Sequence, residues 1–255
     1  MIPPEQILFL SLLFAHLLAD FGLQSAKDVR EKAKPAVFAK HIAWVTVLAW
    51  IFSGDWLNLW IPLIIGATHA AFDALKKTAA STGYNEKRLF FADQAAHIAV
   101  LAGVAWWAAS PEHVHFWVDT AGPHYINAVL IGCGFLLAVF AGGVLIGMAT
   151  DGFMQQIRAE KESRPSSAAE TPPSREGLAH GGKIIGWLER ALIFFFVLIG
   201  KPEAVAFLVA AKSVFRFGEL TKDSRKEAEY ILIGTLMSFG WAIPVAWLTR
   251  YLLHG

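Results

Sequence analysis

Along this chain of 255 residues, apolar stretches alternate with short segments into which the Lys, Arg, Asp and Glu residues crowd. A helix rises 1.5 Å per residue, so roughly 20 apolar residues cross the ~30 Å hydrocarbon layer of a bilayer. Stretches of about that length run over 5–23, 37–54, 57–75, 89–110, 125–149, 184–200, 203–217 and 230–251. The pattern predicts an all-α polytopic transmembrane bundle of about eight spans. Composition points the same way, with 55% hydrophobic and 17% charged residues, against roughly 45–50% and about 25% in an ordinary soluble domain. A soluble enzyme, a disordered chain and a disulfide scaffold are excluded, the last because Cys133 is the sole cysteine. The net charge of +1 gives no reason to expect nucleic acid as a partner. The first span has no basic region ahead of it and no small-residue cleavage site, so it is expected to be retained rather than removed as a signal peptide.

Lys and Arg set the orientation. Segments 21–40, 76–88, 151–183 and 218–229 together hold 17 of the 22, whereas the alternate segments hold only Lys201 and Arg250. The basic segments are therefore expected in the cytoplasm, with the N-terminus and the C-terminus both outside. Trp50, Trp56, Trp60, Trp106, Trp107, Trp117 and Trp247 then fall near the outer interface, where aromatic belts form.

Residues 151–183 include a Pro-, Ser- and charge-rich stretch that cannot bury a core, and are expected to form a flexible cytoplasmic linker. It separates a five-helix membrane part, 1–150, from a three-helix part, 184–255. The fifth span carries Gly132, Gly134, Gly142, Gly143 and Gly147, whose small size is expected to serve close helix packing in lipid.

Ionisable residues inside a span are costly and face the bundle interior, paired with one another. Four histidines, His16, His41, His69 and His97, and three aspartates, Asp20, Asp73 and Asp93, lie in the expected spans. His16/Asp20, His69/Asp73 and Asp93/His97 are i,i+4 pairs, each on one helix face. The first and third spans read His then Asp, and the fourth, running the opposite way, reads Asp then His. All three aspartates then fall near the cytoplasmic interface, with the histidines about one turn, roughly 6 Å, deeper. His41 arrives at a comparable depth. Imidazole and carboxylate together suit a divalent metal, zinc first, with iron or manganese as alternatives. The candidate ligands are His16, His41, His69, Asp73, Asp93 and His97, with Asp20 as a catalytic base. A hydrogen-bonded network that only fixes helix packing is the competing explanation. Gln24 and Gln94 lie close by in sequence.

A second polar set comprises Glu189 and Arg190, Lys212 and Arg216, and Glu229 and Tyr230. Arg190, Lys212 and Arg216 are candidates for holding a substrate anion at headgroup depth. Internal pairing of Glu189 with Lys212 or Arg216 competes with that reading. His113, His115 and His124 are expected to be ordinary loop histidines on the outer side, with His180 and His254 weaker candidates still.

The run from His16 through Asp20 to Gln24, then His41, His69-Ala-Ala-Phe-Asp73 with Lys76, and Asp93-Gln-Ala-Ala-His97 resembles the multipass family catalogued as domain of unknown function 3307. Runs 186–190, 211–217 and 229–236 are similar to its longer members. The resemblance implies a bacterial inner-membrane protein and supplies no reaction. A looser similarity to membrane-bound metal-dependent hydrolases rests on the buried His/Asp pattern alone.

Three functions are open at this point. The first is an intramembrane metal-dependent hydrolase acting on membrane lipid or another anionic amphiphile with a phosphate or acyl group. The second is a transporter of divalent metal or protons, disfavoured because the outer halves of the spans carry almost no acids or histidines. The third is a non-catalytic membrane module recruiting a cytoplasmic partner through its basic loops.

Overall fold

The computed structural model describes residues 2–109, 115–163, 181–217 and 225–254, and no strand occurs among them. The chain forms two compact units, Met1–Leu136 and Leu137–Gly255.

Unit 1 begins with α1 (Pro4–Leu17), whose Pro at the first turn suits the pre-set φ of proline. It runs directly into a π-helical turn, Leu18–Leu23. The short α2 (Ala26–Glu31) opens with a capping box: Ser25 accepts from the Asp28 N–H while the Asp28 side chain accepts from the Ser25 N–H. Next come α3 (Pro35–Ser53), α4 (Trp60–Ser81) and α5 (Glu86–Ala108). Gly54, at φ 68°, terminates α3 in a conformation that favours glycine. The Asn85 side chain caps α5 by accepting from the Lys87 and Arg88 N–H groups. The unit closes with α6 (Phe116–Ala121) and α7 (Pro123–Phe135).

Helix α1 packs against α3, α5 and α7, while α4 lies against both α3 and α5. Leu8, Leu12, Val45, Ile61, Leu101 and Val104 form an apolar core between these helices. Close approach of α3 and α4 depends on Gly66, where a Cβ would collide with Thr46 Oγ1. Gly132 does the same for α7, facing the Phe14 ring of α1. Large apolar side chains also face outward: Leu57 is 96% exposed and Trp106 80%. Buried histidines and exposed tryptophans invert the arrangement of a water-soluble bundle.

Unit 2 holds the end of a second π-helical turn (Leu136–Ala141), then α8 (Gly142–Ser163), α9 (Gly181–Leu198), α10 (Glu203–Phe217) and α11 (Arg225–His254). Of the fifth-span glycines in this unit, Gly142 faces the Trp241 ring and Gly143 the Arg190 guanidinium, whereas Gly147 meets nothing. Packing thus accounts for Gly132, Gly142 and Gly143. The expected linker is helical over 151–163 and over 181–183; residues 164–180 lie outside the described residues.

Among the described residues, five helical stretches are long and apolar enough to cross a membrane: Pro4–Leu23, Pro35–Ser53, Glu86–Ala108, Pro123–Ile157 and Ala228–His254. Each of the eight expected blocks is helical, but α4, α9 and α10 do not reach that standard. The 15 residues of α10 extend only about 22 Å. The last two turns of α4 carry Lys76 and Lys77, and α9 carries Lys183, Glu189 and Arg190 within its 18 residues.

Candidate metal centre

All seven singled-out residues of the N-terminal half meet at one end of unit 1. His16 closes α1, Asp20 sits in the π-helical turn, His41 lies in the second turn of α3, His69 and Asp73 are on α4, and Asp93 and His97 are on α5. The four imidazoles, Asp73 and Asp93 are buried, and Asp20 is nearly so. The helix registers and the opposite run of neighbouring helices bring them to a common level, as their order in the sequence requires.

The tightest contact joins His41 and His69, whose Nε2 atoms are 3.0 Å apart. Asp20 Oδ1 lies 3.5 Å from each of these two nitrogens, and Asp73 Oδ2 lies 3.6 Å from each. Around a tetrahedral zinc with bonds of ~2.0–2.1 Å, neighbouring donor atoms stand about 3.3–3.4 Å apart. The donors around His41 and His69 are therefore close to ligand spacing. Asp20 reaches these two rings more closely than its own i−4 neighbour, His16, which is 3.9 Å away. A π-helical turn is wider than an α-helical one and swings Asp20 off the straight i,i+4 line; such turns recur at functional sites.

Among the described residues, two groups of donors could hold a metal ion: His41, His69 and Asp73, and His16, Asp20, His69 and His97, with donor atoms in each group within 4.8 Å of one another. Ring geometry separates them. An imidazole ligates through a lone pair in its own plane. The His41 and His69 rings are tilted by 58° and their Nε2 atoms converge. His69 and His97 are instead stacked, with centroids 4.0 Å apart and planes 17° from parallel, so their lone pairs run side by side. The first group suits an ion as it stands, whereas the second needs a ring to turn. Asp20 Oδ1 and both His97 nitrogens are buried without a hydrogen bond, which also fits donors meant for an ion.

Gln94 ties the cluster together. Its Oε1 is 3.3 Å from His16 Nε2 and its Nε2 donates to Asp20 Oδ2 at 3.4 Å, the kind of outer contact that orients ligands. Gln24 lies two residues beyond the π turn's Gly22, and its Nε2 is buried without a hydrogen bond. Asp93, expected as a ligand, belongs to neither donor group; it is 3.9 Å from His97 Nδ1 and receives a hydrogen bond from Lys76 Nζ at 2.8 Å.

Two cations at the site were hidden among the loop charges. Lys32 Nζ forms an ion pair with Asp73 Oδ2 at 2.6 Å, and Lys76 does the same with Asp93. Their sequence signal was an i+3 position, Asp73 to Lys76, for one and nothing for the other. His115 is the second omission. Expected as an ordinary loop histidine, it is buried, with Nε2 3.4 Å from Ser11 Oγ, which Tyr125 OH approaches at 3.0 Å.

Of the candidate anion residues of unit 2, Arg190 and Lys212 are engaged internally. Arg190 donates to Val139 O at 3.0 Å and to Ser238 Oγ at 3.3 Å. Lys212 pairs with Glu189 at 2.6 Å, the competing arrangement read from the sequence. The side chain of Arg216 lies outside the described residues.

The model of the family described as "Protein of unknown function (DUF3307)" matches residues 8–121. The likeness to DUF3307 covers that segment. It runs from α1 to the end of α6 and takes in all seven clustered His and Asp residues, together with Lys32, Lys76 and Gln94. The DUF3307 match leaves α7 and unit 2 outside, including the C-terminal runs likened to longer members. No curated protein and no solved structure matches the chain.

Proposed function

We propose that this chain is a bacterial inner-membrane protein of eight spans, with both termini outside. In unit 1 a divalent metal, zinc first and iron or manganese next, serves hydrolysis of a lipid or other amphiphile carrying a phosphate or acyl group. One observation carries this reading: the convergence of His41 and His69 Nε2 at 3.0 Å, with an aspartate oxygen 3.5–3.6 Å from both on two sides. His41, His69 and Asp73 would hold the ion. A bound divalent ion supplies a Lewis acid that polarises a phosphoryl or acyl oxygen and activates water. Asp20, whose Oδ2 accepts from Gln94, would hold a proton beside it. His16 and His97 wall the site. The exclusion of thiolate chemistry follows from the donor set, since Cys133 bonds toward Leu10 O at 3.9 Å on another part of α1.

The test is metal content of the detergent-purified protein beside His69→Ala, with hydrolysis of phosphate and carboxylate ester amphiphiles assayed before and after chelation. Stoichiometric metal, lost in the variant, and chelator-sensitive turnover support the reading. Metal without turnover leaves the site and removes the hydrolase.

Transport has one observation in its favour. Buried His115 and Ser11 add a polar step five residues, about 7.5 Å, along α1 from His16. Metal uptake into proteoliposomes that vanishes with Asp73→Ala distinguishes this second reading from hydrolysis.

A further inference from the structure

Lys32 and Lys76 differ from the acids they touch in one respect: exposure. Their side chains are 25% and 33% exposed, whereas Asp73 and Asp93 are 5% and 4%. Each lysine therefore spans from the surface to a buried carboxylate at the same end of unit 1, one arriving from the segment after α2 and the other from the last turns of α4.

Charge determines what these lysines face. Asp20, Asp73 and Asp93 contribute three negative charges, the two lysines two positive ones, and histidines that ligate a metal are neutral. Without an ion the cluster carries a net single negative charge; with a divalent ion it carries a net single positive charge. The ion also draws the Asp73 carboxylate to itself, which weakens its hold on Lys32, and an ammonium at a half-buried site without a full partner is costly. An oxyanion at the mouth restores both balances. Compact ammonium groups are point-charge binders of phosphate.

Resting on the metal reading above, we propose that Lys32 and Lys76 form a phosphate seat that opens only when the ion is in place, so that the substrate presents a phosphate group rather than a neutral acyl ester. The seat lies in unit 1, and the Arg190 and Lys212 set has no part in it.

The full chain, purified in detergent and freed of unbound metal, is titrated with inorganic phosphate by calorimetry, with its metal content measured in every sample. A second arm uses phosphatidic acid in mixed micelles. Expected are phosphate binding by the zinc-loaded protein, its loss after chelation, and weakening of roughly tenfold for each of Lys32→Gln and Lys76→Gln at undiminished metal content. Binding in the phosphatidic acid arm as well identifies a lipid headgroup; binding of inorganic phosphate alone identifies a soluble phosphate. Zinc-loaded protein that binds neither, or binds both equally well in the Lys32→Gln/Lys76→Gln variant, overturns the seat and leaves the metal site standing. Protein that holds no metal overturns the metal reading and the gated seat together. The comparison before and after chelation needs no variant: zinc-loaded protein that binds no phosphate, or binding that survives chelation, overturns the gated seat even if the lysine variants fail to fold.

Discussion

His41 Nε2 and His69 Nε2 face each other at 3.0 Å across the α3–α4 contact. Two neutral imidazoles at that distance share one proton as donor and acceptor, the acceptor ring already holding its own proton on Nδ1; with both Nε2 atoms as ligands of an ion, the donor's proton would also sit on Nδ1. The pair belongs to unit 1, on a segment matched by DUF3307, and it separates the two donor groups that share His69.

Substitution by alanine ranks the histidines. His69→Ala and His41→Ala are expected to abolish stoichiometric metal, since His69 lies in both groups and His41 in the one whose rings converge. His16→Ala and His97→Ala are expected to retain the metal with weakened affinity. The measurement is metal per protein after gel filtration. The opposite ranking assigns the ion to the His16, Asp20, His69 and His97 group.

Gln94→Ala removes the contacts that fix His16 and Asp20. Loss of an outer partner of this kind weakens metal binding on the order of 10–100-fold without changing the ligands. Competition with a fluorescent chelator reads the change, and unchanged circular dichroism shows that the helices persist.

Gly66→Val is expected to push α4 from α3 at Thr46, destabilising the protein by about 1–3 kcal/mol and lowering metal affinity one turn away at His69. Gly66→Ala is a milder case. Adding Thr46→Ala to it removes the colliding hydroxyl and is expected to recover most of the lost stability, as a double-mutant cycle on thermal unfolding will show.

The segment that delivers Lys32 is fastened by Asp28. Its carboxylate receives the Lys40 ammonium at 2.5 Å and bonds to Ser25, which together hold its pKa at about 2, below the usual 3.8. A carboxyl depressed in the folded state supports that state above its unfolded pKa of 3.8 and loses the support as pH falls through about 2. Carboxyl chemical shifts followed from pH 5 down to pH 1.5 are expected to show Asp28 titrating late, and to return it toward 3.8 in Lys40→Met.

The His/Asp cluster was legible because helical periodicity fixes which residues share a face, and because reversal of the His/Asp order compensates for reversal of chain direction. The intramembrane cost of charge made the exceptions conspicuous. Lys32 and Lys76 were not legible, since a loop lysine that folds back onto a buried acid looks the same in sequence as one that only sets topology. His115 was misjudged for a related reason: its burial depends on Ser11 and Tyr125, more than a hundred residues before it and ten after. Length and apolarity alone support five of the eight expected spans among the described residues; α10 is short, and α4 and α9 carry charges in their apolar runs. Periodicity also gives no sign of the π-helical turn that redirects Asp20, and competing partners for Lys212 could be named but not chosen.

The central claim is a His/Asp-ligated ion in unit 1, and X-ray absorption at the metal edge of the purified full chain tests it most directly. Expected is a shell of nitrogen and oxygen donors at about 2.0–2.1 Å, with the outer scattering of at least two imidazoles and no sulfur, and its disappearance in His69→Ala. Sulfur in the shell, a fully hydrated ion, or a protein that purifies without metal and cannot be loaded would contradict it.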